Sequence, residues 1–111
     1  MSKEIAQILI DIKSINFSFN DPFTLTSGLK SPVYVDCRKI ISYVKEREII
    51  FNKAIEYFKK NNLSFDILAG GETAGIPYSA FLSDKLNKPM IYIRKKPKGF
   101  GINKQIEGNF I

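Results

Sequence analysis

Arg94, Lys95, Lys96, Pro97, Lys98, Gly99, Phe100 and Gly101 place four cations within five residues and flank them with glycine. Like charges so close repel one another and glycine adds backbone freedom, so the run is expected to be mobile until an anion orders it. A second stretch, Ala69, Gly70, Gly71, Glu72, Thr73, Ala74, Gly75, Ile76 and Pro77, has the glycines that let backbone N–H groups approach an anion at a helix N-terminus. It lacks the spacing of a dinucleotide fingerprint and the Gly-Lys-Ser/Thr ending of a P-loop, so plain turn chemistry explains it equally well. A third runs from Phe23 through Thr24, Leu25, Thr26, Ser27, Gly28, Leu29, Lys30, Ser31 and Pro32 to Val33, Tyr34, Val35 and Asp36. Its hydroxyls, glycine and cation could clamp a small planar acid, although the same composition makes an ordinary hairpin tip. Asp36, Arg38 and Lys39 read as surface charge. Cys37, in a chain with no histidine to activate it, reads as packing rather than as a nucleophile.

The elements that must position these groups follow from periodicity. Ile5, Ile8, Leu9 and Ile12 fall on one helical face, predicting a helix from about Ser2 to Lys13. Ile15, Phe17 and Phe19 then alternate with Asn16, Ser18 and Asn20 as in a half-buried strand, which Asp21 and Pro22 stop. Phe23 to Pro32 is expected to be a loop or bent hairpin, with Val33 to Val35 the returning strand. Ile50, Phe51, Ala54, Ile55 and Phe58 keep helical spacing within an amphipathic helix predicted over Ser42 to Asn61. Phe65 to Ala69, the glycine turn, a helix over Thr73 to Leu86 and a strand over Met90 to Ile93 complete a strand, helix, strand unit of the length parallel strands need. The architecture is α/β. Ligands of such sheets gather beyond the carboxyl ends of the strands, where both the glycine turn and the basic run lie.

The chain is long enough for one modest domain. Its formal charge of +6 is uneven: residues 1 to 88 carry twelve Lys or Arg against ten acids, and residues 89 to 111 carry five against one. The basicity is local, suited to a nucleic acid, an anionic membrane surface or a small multiply phosphorylated ligand. One cysteine excludes an internal disulfide, and no signal-peptide pattern or membrane-length apolar run is present, so a soluble chain in the reducing cytoplasm is expected. The lack of histidine removes the commonest general base and the commonest metal ligand.

Taken in order, the three stretches resemble orotate phosphoribosyltransferase, over nearly the whole chain. Phe23-Thr24-Leu25-Thr26-Ser27-Gly28 with Ser31-Pro32-Val33-Tyr34 is similar to that family's orotate-side loop, Thr73-Ala74-Gly75-Ile76-Pro77 to its strand-to-helix turn, and Arg94-Lys95-Lys96-Pro97-Lys98-Gly99 to its catalytic loop. The resemblance implies a partial type I phosphoribosyltransferase fold, a parallel sheet with flanking helices plus an N-terminal helix and β-hairpin hood, lacking its C-terminal strands. Within a single truncated domain, residues 1–42 would form the hood and 43–111 the first part of the α/β core. The implied reaction transfers ribose 5-phosphate from phosphoribosyl diphosphate to orotate, giving orotidine 5'-monophosphate and diphosphate in pyrimidine biosynthesis. Mg2+ would be bound mainly through phosphoribosyl diphosphate, with no metal ligand in the chain. Arg94, Lys95 and Lys98 would be catalytic, and Thr26, Ser27, Gly28, Lys30, Tyr34, Thr73 and Ala74 would bind substrate. A homodimer is implied for the full-length protein, with no nucleic-acid or membrane partner.

Two departures from the family pattern bear on this reading. Phe100 stands where the loop usually has a histidine, and no strand ending in paired acids with a Thr-Thr-Gly-like phosphate loop is present. Ile106-Glu107-Gly108 resembles what precedes that strand, so the chain is expected to stop short of it and to be inactive alone. The rivals are a small basic nucleic-acid-binding module and a phosphoribosyltransferase relative that does not use orotate. Only Tyr92 and Phe100 flank the cations, too few aromatics for stacking on successive bases. The orotate-side loop argues against a different base.

Overall fold

The computed structural model describes residues 2–97 and 105–109. Its chain divides into two compact units, Met1–Lys53 and Ala54–Ile111.

The first unit opens with α1 (Ser2–Asp11), two residues shorter than the spacing predicts. Lys13 adopts a left-handed φ of 61° and the Ser14 N–H donates to the Leu9 carbonyl at 2.8 Å, so the chain turns off the helix there. Next come β1 (Ile15–Phe17), β2 (Phe23–Thr24), β3 (Lys30–Ser31) and β4 (Val33–Val35). β1 pairs antiparallel with β4, Ile15 opposite Val35 and Phe17 opposite Val33, and β2 with β3, Phe23 opposite Ser31 and Thr24 opposite Lys30. The predicted bent hairpin is therefore two nested ladders. β1 ends before Phe19, yet the Phe17 and Phe19 rings remain stacked and exposed, 6.1 Å apart. A 3-10 turn over Cys37–Ser42, unforeseen from periodicity, is capped by the Asp36 carboxylate, which accepts from the Arg38 N–H. Cys37 is exposed on it, contrary to the packing role expected from sequence. Ile12, Ile40 and Phe51 are the buried apolar residues of this unit. α2 (Val44–Lys60) begins here, tied to α1 by the ion pair of Lys53 with Glu4 at 3.2 Å, and crosses into the second unit.

The second unit holds β5 (Leu68–Gly71), α3 (Gly75–Leu86), β6 (Met90–Ile93) and β7 (Ile106–Glu107). β5 and β6 run parallel, in register from Leu68 opposite Met90 to Gly71 opposite Ile93, with α3 as the crossover. This is the strand, helix, strand unit expected. The third strand, β7, pairs antiparallel with β6, so the sheet is mixed in the order β5-β6-β7. β5 starts three residues later than predicted because Phe65 is engaged elsewhere. Its ring meets Phe58 edge-on at 5.5 Å and takes the Lys88 ammonium on its face. α3 closes on Asn87 in the left-handed conformation, with the Ser83 hydroxyl donating to the Lys88 carbonyl.

Candidate functional site

The parallel register brings the two chemically distinctive stretches side by side. Gly71 ends β5 opposite Ile93 at the end of β6, so the turn into α3 and the root of the basic run leave the same edge of the sheet. On the β5 side, the strand and the start of α3 pack so closely that a Cβ on Gly70 would stand 2.6 Å from the Gly75 carbonyl oxygen and 2.8 Å from Ser79 Oγ. Only glycine fits. Glu72, Thr73 and Ala74 form the turn, which includes a cis Glu72–Thr73 peptide. Thr73 and Ala74 are both exposed, and α3 begins after Ala74 with no side-chain cap, the Ile76 N–H donating to the Thr73 carbonyl at 3.2 Å.

On the β6 side the basic run is fastened at its root. The Glu72 N–H donates to the Ile93 carbonyl at 2.8 Å and the Lys95 N–H to Glu72 Oε2 at 2.6 Å. The Arg94 N–H donates to the Gln105 carbonyl at 2.7 Å, and Gln105 Nε2 returns a bond to the Arg94 carbonyl at 3.2 Å. Arg94 Nε is buried and without a hydrogen-bond acceptor among the described residues. A desolvated guanidinium donor left unpaired is costly, and an anionic oxygen would satisfy it. Lys95 is exposed beside it. Lys98 lies outside the described residues, as do Gly99, Phe100 and Gly101.

In the first unit, Thr26, Ser27 and Gly28 form the exposed tip between β2 and β3. The Gly28 N–H donates to the Leu25 carbonyl and the Leu25 N–H to the Leu29 carbonyl, both at 2.8 Å, and Gly28 takes a φ of 89°, as a glycine-bulged hairpin requires. Lys30 donates its ammonium to Thr24 Oγ1 at 2.7 Å, while Tyr34 leans on Phe23 at 5.8 Å. The expected orotate-side residues are thus gathered on one hairpin and its neighbouring strand. Asp36 and Arg38, read as surface charge, form a two-point pair, Nε to Oδ1 at 2.7 Å and Nη2 to Oδ2 at 3.1 Å. The Arg38 guanidinium holds the Asp36 carboxyl below its ordinary pKa, and the carboxylate raises that of Arg38.

Sequence reasoning placed Arg94, Lys95, Thr73 and Ala74 correctly at the carboxyl ends of the parallel pair. It passed over Glu72 and Gln105, which fasten the basic run. Glu72 could have been singled out as the one acid between the glycines and the helix, whereas Gln105 carries no periodic or motif signal. Among the described residues, no group of three or more His, Cys, Asp or Glu could hold a metal ion, and no helix is long and apolar enough to cross a membrane.

No family model matches the chain. The orotate phosphoribosyltransferase of Rhizobium rhizogenes is 50% identical to it over 111 residues, covering 98% of this chain and 48% of that protein. The orotate phosphoribosyltransferase of Rhizobium etli is 48% identical with the same coverage. Among solved structures, that of Leishmania donovani UMP synthase superposes with a TM-score of 0.77 at 29% identity, covering 97% of this chain and 22% of that one. The orotate phosphoribosyltransferase of Aeropyrum pernix superposes with a TM-score of 0.76 at 27% identity, covering 93% and 56% respectively. The chain spans about half the length of the curated relatives it matches. Over almost its whole length, then, it is similar in sequence and in its mixed α/β fold to the orotate phosphoribosyltransferases, the type I phosphoribosyltransferases that the order of its three motifs resembles.

Proposed function

We propose that this chain carries part of the machinery that transfers ribose 5-phosphate from phosphoribosyl diphosphate to orotate, yielding orotidine 5'-monophosphate and diphosphate. The observation that carries the reading is the parallel register of Gly71 with Ile93, which sets the exposed Thr73–Ala74 turn beside Arg94 and Lys95. Departure of diphosphate builds negative charge on its oxygens while the ribose carbon becomes oxocarbenium-like. Cations fixed beforehand beside that charge lower the barrier, and removing one well-placed donor commonly costs about 3 kcal/mol. Arg94 offers a planar fork to two phosphate oxygens; Lys95 and Lys98 offer point charges. Thr73 and Ala74 supply backbone contacts to the leaving group. In the first unit, Thr26, Ser27, Gly28, Lys30 and Tyr34 recognise the acceptor base, within the hood of residues 1–42.

In this reading Mg2+ accompanies phosphoribosyl diphosphate as part of the substrate. The reading extends to a cytoplasmic protein that dimerises at full length and takes no nucleic-acid or membrane partner. Titration calorimetry with inorganic diphosphate tests it. Saturable one-site binding is expected, weakened about tenfold or more by Arg94→Ala, in line with the loss of a charge-assisted hydrogen bond. Heat with single-stranded RNA but none with diphosphate would instead point to a nucleic-acid module.

A further inference from the structure

Glu72 is an acid at the centre of what should be an anion-binding edge, and a bare carboxylate there would repel phosphate. Its observed bonds give it another use. Its own N–H is spent on the Ile93 carbonyl at 2.8 Å, and its Oε2 accepts the Lys95 N–H at 2.6 Å across a sequence separation of 23 residues. The same residue therefore spans from the end of β5 to the first two positions beyond β6, next to the Arg94 N–H bond to the Gln105 carbonyl. Consecutive main-chain N–H groups of the basic run are held from opposite sides, Arg94 by Gln105 and Lys95 by Glu72.

A peptide held at adjacent positions loses most of its freedom to rotate, and the side chains it carries inherit that fixed origin. Positioned cations are worth more than tethered ones, because the ordering cost falls at folding and not at binding. Among the described residues the carboxylate does this without an ion pair that would tie up the Arg94 or Lys95 side chain: its partner is a backbone N–H. The negative charge is also drawn towards the loop root, leaving the Thr73 and Ala74 side of the turn to the anion.

We propose that Glu72 is a positioning residue. Through the Lys95 main chain it fixes the root of the basic run, so that Arg94 and Lys95 meet a diphosphate group in a preset geometry. The proposal rests on the diphosphate-binding reading above and deepens it.

Two measurements on the 111-residue chain, amide hydrogen exchange and calorimetry with inorganic diphosphate, keep the two apart. Glu72→Ala is expected to speed exchange of the Lys95 N–H about tenfold or more and to weaken diphosphate binding by a similar factor. Glu72→Gln keeps an acceptor oxygen while removing the charge, and should restore both to within about threefold of the parent if acceptance of the N–H is what matters. Unchanged Lys95 exchange in Glu72→Ala overturns the proposal, as does a Gln variant that behaves like Ala. Tighter diphosphate binding in both variants also overturns it, since that is the signature of simple charge repulsion. If the parent chain binds no diphosphate, the functional reading fails, while the exchange arm still judges whether Glu72 holds the loop root. Should the Ala variant fail to fold, exchange and binding in Glu72→Gln and Glu72→Asp decide: an acceptor set back by one methylene must loosen the Lys95 N–H, and protection equal to the parent's in Asp overturns the proposal.

Discussion

Asp36 shows how much a short sequence interval can settle. Its carboxylate accepts from the Arg38 main chain at 3.1 Å and from two nitrogens of the Arg38 side chain, so a cap and an ion pair share one acid. The guanidinium hydrogen bond is the largest cause of the lowered Asp36 pKa, and burial opposes it. A carboxyl depressed on folding favours the folded chain at pH above the ordinary carboxylate range, and that contribution is lost as pH falls through the depressed value. Because the Arg38 side chain is in water, the stabilisation is small. The measurable quantity is the titration itself. Followed by carboxyl NMR, the Asp36 midpoint should lie below the ordinary aspartate range and rise towards it in Arg38→Ala; a midpoint indifferent to that substitution would mean that the pair does not persist in solution. Asp36, whose side chain is 16% exposed, is less of a surface charge than the sequence suggests, but the exposure of Arg38 was read correctly. Cys37 between them was not, since a lone thiol carries no periodic signal and its exposure is decided by the 3-10 turn.

Elements were legible where periodicity and pairing agree. Val33–Val35 and Met90–Ile93 appear residue for residue as predicted, because a β-branched or aromatic run bounded by proline or polar residues has few other uses. β5 was misjudged by its glycines. Gly70 and Gly71 read as a turn, yet both lie in the ladder opposite Tyr92 and Ile93, and what the missing Cβ provides is room for the start of α3. β7 is two residues long and set by its partner, so no pattern within it could announce it. The close approach at Gly70 yields a paired prediction. Gly70→Ala must push a methyl into the backbone of α3, and overpacking of this kind costs about 1–3 kcal/mol. Gly71→Ala meets nothing within 4 Å and should be nearly neutral. Urea unfolding of both variants compares them, and equal midpoints would mean that β5 and α3 are not packed as described.

At the scale of the whole molecule, the described cations of the basic stretch read from the sequence, Arg94, Lys95 and Lys96, follow directly on the end of β6. Residues 89 to 111 hold five of the cations and one acid, and the described part of that run leaves β6 beside the glycine turn. A field so localised makes anion binding depend on which lysines are present and not on net charge alone. Neutralising Lys95 and Lys96 as glutamines should flatten the salt dependence of diphosphate affinity, whereas neutralising Lys59 and Lys60 at the end of α2 should leave it unchanged, apart from a small uniform shift. Calorimetry at several salt concentrations measures both slopes, and equal flattening by the two pairs would contradict a local site.

The fastening of Arg94 to Gln105 by bonds in both directions ties the end of β6 to the residue before β7. Ring closure grows costlier only slowly with length, about 0.6 kcal/mol for each doubling. Entry and exit therefore keep a fixed address on the sheet, at a closure cost that depends only weakly on how many residues join the two anchors.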